Sequence, residues 1–361
     1  MSDINDPCIK KAMTIALNEA QSQRGFCAPN PSVGAVIIKE GSIIAQGHHN
    51  GPGTPHAEVS AIRMAGEASK GATMVVTLEP CCHTGRTPPC TNAIQAAGIA
   101  EVFFGFYDPH DVVAGKGQGT LNVAGIPCHH APLDAVTDFY RSYHHWTVYG
   151  RPWVSAKLAL TAEGGVASSS GAPIIITGES ANQRTHYARF HSDAVLTSIA
   201  TVLADDPQLN ARVSGHCTAK PVIVIDPLAE LPLRAHVWNS AESIVVFHGP
   251  RALSNNVHRL QAQGARCLSL PLDGRGQFDL NDLIRAMGEL GFHDVWVEVG
   301  PRLFKALQAN HCVDETLLYI SPHSSKDTLL ANLSVVTGSG DRFHGDWEQV
   351  GEDSLWHHRR H

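Results

Sequence analysis

The chain has 361 residues, enough for two domains each with its own core. It is 43% hydrophobic and 17% charged, with a formal net charge of −7 and no basic stripe. That balance argues against tracking a nucleic-acid backbone, yet leaves room for one phosphorylated small substrate. No run is apolar enough to span a bilayer and the polar N-terminus does not read as a secretory signal, so the expected location is the cytoplasm.

Asp6 as N-cap and Pro7 at the first helical position open a helix in which Ile9, Ala12, Met13, Ala16, Leu17 and Ala20 recur at helical spacing. Val33 to Ile38 reads as a buried strand, and a turn at Glu40-Gly41 leads to a partner strand, Ser42 to Gln46. His56 to Ala65 is predicted helical, Ala72 to Leu78 a strand, Thr91 to Ala97 a helix and Glu101 to Phe106 a strand. The pattern restarts after Tyr149-Gly150-Arg151-Pro152, which divides the chain into domains 1–148 and 149–361. The second half carries strands at Val154 to Leu160, Ala194 to Thr197, Pro221 to Ile225, Ser243 to Phe247, Asp294 to Val299 and Glu315 to Ile320. Helices are expected at Leu280 to Leu290 and Arg302 to Gln308. Both halves are α/β, the second with mixed or parallel strands.

The nine cysteines are unevenly spaced, and three of them, Cys81, Cys82 and Cys90, crowd one loop, which suits a metal better than a disulfide framework. His56-Ala57-Glu58 precedes Pro80-Cys81 and Pro89-Cys90. One nitrogen and two sulfur ligands, His56, Cys81 and Cys90, suit zinc and leave a fourth position for water. A carboxylate two residues beyond the histidine, Glu58, is placed to shuttle protons, which is the pattern of the zinc deaminases of nucleobase-like rings. Ligands at the starts of two helices gain from the positive dipole end. A closed structural site with Cys82 or His83 as fourth ligand is the alternative. Eight residues separate Cys81 from Cys90, where nucleobase deaminases usually have two; this insert carries Arg86 and several hydroxyls that could order a phosphate or a ribose.

Asn30-Pro31-Ser32-Val33-Gly34, His49, Pro55-His56-Ala57-Glu58-Val59, Thr77-Leu78-Glu79-Pro80-Cys81, His83 through Cys90, Asp108-Pro109 and Val113 through Gly117 resemble the bifunctional deaminase–reductases of riboflavin biosynthesis, over nearly the whole chain. The resemblance implies a cytidine-deaminase-like three-layer domain followed by a dihydrofolate-reductase-like domain. It implies zinc-dependent hydrolytic deamination of a diaminopyrimidinone ribosylamino phosphate, then NADPH-dependent reduction of the ribosyl chain to ribityl, by a homodimer. Asn30, His49 and Arg86 would line the first pocket; the usual Asp-Pro-Asn-Pro stands here as Asp108-Pro109-His110-Asp111.

In the second half no Gly-x-Gly-x-x-Gly is present, and Gly300 before the helix at Pro301 is read by itself as a strand-to-helix turn able to accept a phosphate. The resemblance implies substrate contacts at Arg189, Leu209, Arg212 and Glu298. It places Ala159, Thr177, Thr201, Asp205, Gly300, Pro301, Arg302 and Leu303 on the NADPH side. Departures fall at Thr161 through Gly165, where Glu163 replaces an aspartate, at Pro173 and Ile175, which replace a serine and a tryptophan, and at Pro227. These departures motivate a second hypothesis: a deaminase whose C-terminal domain only dimerises or binds substrate. A third, a nucleic-acid base editor, is opposed by the acidic net charge.

Overall fold

The computed structural model describes residue 4 and residues 6–85, 88–110, 114–168, 176–322, 328–330 and 345–360. The chain divides into two compact units, Met1–Gly150 and Arg151–His361.

The first unit runs α1 (Pro7–Ser22), β1 (Gly34–Lys39), β2 (Ser42–His48), α2 (Ala57–Ala65), β3 (Thr73–Leu78), α3 (Cys90–Ala96), β4 (Glu101–Phe106), α4 (Lys116–Val123), β5 (Cys128–His130), α5 (Asp134–Phe139) and α6 (Arg141–Tyr149). Asp6 caps α1 by accepting from the Cys8 N–H at 2.8 Å, and the six predicted apolar positions are its buried face. The sheet order is β2-β1-β3-β4-β5, with β1 antiparallel to both neighbours and β3, β4 and β5 parallel. Alternation along the strands sends Val36, Ile38, Val75 and Phe103 toward α1, α5 and α6, while Ala35, Ile37, Met74, Val76 and Phe104 meet α2, α3 and α4. The result is the three-layer domain expected from the resemblance. Helices α4, α5 and α6, which sequence periodicity does not reveal, complete its two outer layers.

Strand direction decides where the chemistry sits. β3 and β4 end where β2 ends and β1 begins, so the segments after Leu78, Phe106 and His48 and before Gly34 converge on one edge. A hydrogen-bonded chain fixes the last of these: Thr77 accepts from the Gly34 N–H at 3.1 Å and donates to the Tyr140 hydroxyl at 2.6 Å, which donates to the Ser32 carbonyl at 2.9 Å. α2 lies directly on β2 because residue 47 has no side chain; a Cβ there would stand 2.5 Å from the Ala61 nitrogen and 2.6 Å from the Ala57 carbonyl oxygen. Gly47→Ala is therefore expected to push α2, and with it His56 and Glu58, off the sheet at a cost of about 1–3 kcal/mol. The check is a thermal midpoint several degrees lower together with reduced zinc content by elemental analysis; an unchanged midpoint with full zinc would contradict it.

The second unit runs β6 (Trp153–Leu160), β7 (Gly165–Ser168), α7 (Glu179–His191), β8 (Ala194–Ser198), α8 (Ile199–Asp205), β9 (Ala211–Val213), β10 (His216–Thr218), β11 (Pro221–Ile225), α9 (Val237–Ser240), β12 (Ser243–His248), α10 (Ser254–Ala262) and β13 (Arg266–Ser269). It continues with α11 (Leu280–Glu289), β14 (Asp294–Glu298), α12 (Pro301–Ala309), β15 (Glu315–Ile320), β16 (Thr328–Leu330), β17 (Asp346–Val350) and β18 (Asp353–Arg359). The nine-stranded sheet has the order β13-β12-β11-β8-β14-β6-β15-β18-β17, parallel from β13 to β15 and antiparallel in β18 and β17. β14 inserts between the unit's first strand and β8, so Glu298 at its end stands among the ends of both neighbours. Crevices of this kind, at the carboxyl ends of parallel strands, are where α/β sheets bind ligands.

Candidate active sites

His56 is the N-cap of α2 and Cys90 the first residue of α3, so two of the three soft donors sit at helix N-termini. Cys81 follows β3 and is folded back onto Cys90: its sulfur accepts from the Cys90 N–H at 3.3 Å, and its carbonyl accepts from the Thr91 N–H at 3.2 Å. His56 Nδ1 lies 3.1 Å from Cys90 Sγ and 3.5 Å from Cys81 Sγ, and the three donor atoms lie within 4.8 Å of one another. Zinc bonded to nitrogen at ~2.0 Å and sulfur at ~2.3 Å separates tetrahedral N and S donors by roughly 3.5 Å, so the set fits that ion. Among the described residues this is the only group of three or more such donors close enough to share a metal, and neither Cys82 nor His83 joins it.

Hydrogen bonding from Cys90, reinforced by His56, brings the Cys81 thiol down to about 4. The same contact to Cys81, together with burial, raises Cys90. Glu58, in the first turn of α2 and only 3% exposed, has its carboxyl pushed above the ordinary range by burial, opposed by His56. A raised proton affinity of that origin suits a group that accepts and returns protons.

A cavity of about 400 Å³ opens beside the triad, and Asn30, His49, His56, Glu58 and Cys81 all line it. His49 is buried, which lowers its pKa, and its Nδ1 lies 3.2 Å from the Pro55 carbonyl, an acceptor only. The proton therefore resides on Nδ1, and Nε2 accepts from Asn30 Nδ2 at 3.1 Å. This leaves Asn30 Oδ1 as an acceptor for an amino or ring N–H. Arg86 lies outside the described residues. Asp108, which the sequence shows only as part of the Asp108-Pro109 motif, also lines the cavity, and sequence reasoning missed Tyr143 and Trp146. Tyr143 and Trp146 come from α6, a helix too aromatic and too rich in histidine to show a clear apolar stripe.

In the second unit the four residues expected to touch substrate form one connected group. Arg189 grips Glu298 through Nε and Nη2 at 2.5 and 2.9 Å and donates from Nη1 to the Asn210 carbonyl at 2.9 Å. Arg212 donates to Asn210 Oδ1 at 3.0 Å, and buried Leu209, with φ of 55°, adjoins it. Burial works against the Glu298 carboxylate, but the Arg189 guanidinium outweighs it and brings Glu298 down to about 2. Lys157, which stands opposite Glu298 in the β6–β14 register, joins this group without having been expected. Burial lowers its pKa while Glu298 opposes the shift. Its signal was a lone cation in the apolar run Trp153–Leu160.

Gly300 is the N-cap of α12, and Pro301, Arg302 and Leu303 form its first turn, where backbone N–H groups lack helical acceptors. Thr201 lies in the first turn of α8, behind the neighbouring strand, and Ala159 lies near the end of β6. Thr177 precedes Gly178, whose N–H is held at 2.8 Å by Asp353 at the start of β18. These residues share the carboxyl edge of the sheet, and an open helix N-terminus there fits the phosphates of a dinucleotide such as NADPH. Asp205 stands at the other, C-terminal end of α8. Of the departures, Glu163 is an exposed turn residue and Pro227 follows β11, whereas Pro173 and Ile175 lie outside the described residues.

A model of the cytidine and deoxycytidylate deaminase zinc-binding region matches residues 7–106, and one of the RibD C-terminal domain matches residues 152–324. The riboflavin biosynthesis protein RibD of Escherichia coli (strain K12) is 38% identical over 319 residues, covering 86% of each chain. That of Aquifex aeolicus (strain VF5) is 36% identical over 318 residues, covering 87% of this chain and 86% of its own. Among solved structures, Acinetobacter baumannii RibD (form 1) aligns with a TM-score of 0.85 at 30% identity, covering 98% of this chain and 99% of its own. A diaminohydroxyphosphoribosylaminopyrimidine deaminase/5-amino-6-(5-phosphoribosylamino)uracil reductase from Thermotoga maritima aligns with a TM-score of 0.83 at 28% identity, covering 98% of each chain.

Proposed function

The chain belongs to the RibD family of bifunctional deaminase–reductases in riboflavin biosynthesis, and from that premise we propose how its residues divide the two reactions. The observation that carries the proposal is the His56–Cys81–Cys90 donor set opening, beside buried Glu58, into a cavity lined by hydrogen-bonding groups.

His56, Cys81 and Cys90 hold zinc, which when bound supplies the Lewis acidity that makes water a nucleophile at neutral pH. Glu58 takes one proton from the attacking water and delivers it to the ring nitrogen, then carries the second, from the newly formed hydroxyl, to the departing amine, which leaves as ammonia. Asn30 and His49 orient the ring, and the substrate is the diaminopyrimidinone ribosylamino phosphate. In the second unit the first turn of α12 and Thr201 hold the phosphates of NADPH, which supplies the hydride. Arg189, Arg212, Glu298 and Lys157 bind and orient the substrate there: Arg212 and Lys157 supply the cations for its phosphate, and the Arg189–Glu298 pair, locked together, positions its ribosyl chain.

No helix among the described residues is long and apolar enough to cross a membrane. We place the enzyme in the cytoplasm as a homodimer acting on small molecules and not on nucleic acid; light scattering after size exclusion tests the dimer. The test of function is a coupled assay with the diaminopyrimidinone ribotide. Ammonia release followed by stoichiometric NADPH oxidation is expected. Ammonia release without oxidation at saturating NADPH would reduce the protein to a deaminase with a binding domain.

A further inference from the structure

The deaminase cavity is larger than one ring requires, and its second half is built from parts the reaction at the metal does not use. The reacting ring carbon must lie at Glu58 and the donor triad, where Asn30 and His49 also stand; the His49 and His56 rings are 5.3 Å apart, edge to face. The remaining wall comes from the segment after β4 and from α6. Asp108, 8% exposed, accepts at Oδ1 from the His110 N–H at 2.9 Å and from the Tyr143 hydroxyl at 3.2 Å. Both donors fall on one oxygen, and among the described residues Oδ2 has no hydrogen-bond partner. The Tyr143 ring, fixed by that bond, stacks on Trp146 with centroids 6.3 Å apart and planes at 29°. Trp146 packs on one side against the core and also borders the cavity.

We propose that Trp146, with Tyr143 and Asp108, forms a pentose subsite of the deaminase, the indole lying along the apolar side of the ribosyl group and the Asp108 carboxyl accepting from its hydroxyls. The chemistry selects this occupant. A carboxyl oriented by two donors asks for a donating partner, which a sugar hydroxyl is and a phosphate is not. Glu79, which also borders the cavity, would repel a phosphate in the same way. Both Glu79 oxygens are already engaged with the Gly115 and Gln118 N–H groups of the α4 N-terminus at 2.9 and 3.0 Å, so of the two carboxyl groups in this wall Asp108 is the one that offers an oxygen to a ligand. A flat indole beside such an acceptor offers the C–H face of a sugar a dry surface, and a large aromatic side chain brings little conformational entropy cost. Trp146 is thus a specificity-determining residue, acting on how the ribosylated substrate is held and not on proton transfer.

The inference rests on the deaminase reading above, and its test separates the two. Ammonia release is measured with the full chain, zinc-replete, on the ribosylamino phosphate and on the same diaminopyrimidinone without its ribosyl phosphate. Trp146→Ala is expected to raise KM for the ribosylated compound about tenfold with kcat within about twofold, and to leave KM for the ring alone unchanged. Trp146→Phe should recover most of the loss, and zinc content should be wild-type in both. An equal rise in both KM values, or none for the ribosylated compound, overturns the subsite. Absence of ammonia from both compounds with the wild-type protein overturns instead the deaminase reading on which it stands.

Discussion

Glu58→Gln is expected to retain one zinc per chain and to lower kcat for ammonia release by about 10²–10⁴. The amide keeps the shape and packing of a side chain that is 3% exposed at the start of α2, so the His56 cap and the donor triad are undisturbed. What it removes is a group able to take a proton from water and return it to the ring. The buried carboxyl, pushed above the ordinary range, matches that role because its affinity for the proton is closer to that of the groups it must serve. Elemental analysis and an ammonia assay on the same preparation provide the check. Turnover near the wild-type rate with full zinc would assign proton transfer elsewhere. Reduction of the deaminated compound by NADPH should be unaffected, because that site belongs to the second unit.

Arg189→Met is expected to cost about 3–5 kcal/mol in the second unit and to lower NADPH-dependent reduction by about a hundredfold or more. The two partners have side chains only 12% and 16% exposed, so loss of the guanidinium strands Glu298 with Trp296 Nε1 at 2.9 Å as its remaining hydrogen-bond donor. The sign of the pH dependence follows from the depressed carboxyl. Glu298 falls to about 2 in the folded protein against ~4.3 in an unfolded chain. Its stabilising contribution is full above pH ~5 and is lost as the pH falls through that window. The gap in stability between wild type and Arg189→Met should accordingly be widest near neutrality and narrow toward pH 3. Arg189→Lys, which keeps a charge but not the two-pronged geometry, should recover stability better than activity. Calorimetric unfolding at pH 7 and pH 3, paired with NADPH oxidation, measures both effects. A pH-independent gap would show that the pair is not the source of the loss.

The deaminase half was more legible from residues alone because its site is assembled by short-range geometry. A carboxylate two residues after a histidine needs only one helical turn, and the Cys81–Cys90 loop closes on itself through two backbone hydrogen bonds. Spacing therefore carries the chemistry, and the apolar face of α1 and the strands β3, β4, β11, β12 and β15 follow from local periodicity in the same way. The reductase half was legible mainly through resemblance. Arg189 and Glu298 are 109 residues apart, and they meet only because β14 inserts beside β8. α7 shows little apolar periodicity, so the helix that carries Arg189 gave no local signal.

By itself the sequence pointed to the His56–Cys81–Cys90 donor set, to Glu58 beside it and to the α/β character of both halves, since each depends on neighbours within a few residues. Only the tertiary structure decided which way the strands run, and with that the edge on which Asn30, His49, Cys81 and Asp108 converge. It alone brought Lys157 to Glu298 and set Tyr143 and Trp146 along the cavity. Those contacts depend on sheet order and on helices held by packing. Their stabilising partners are tens of residues away, where no local spacing records them.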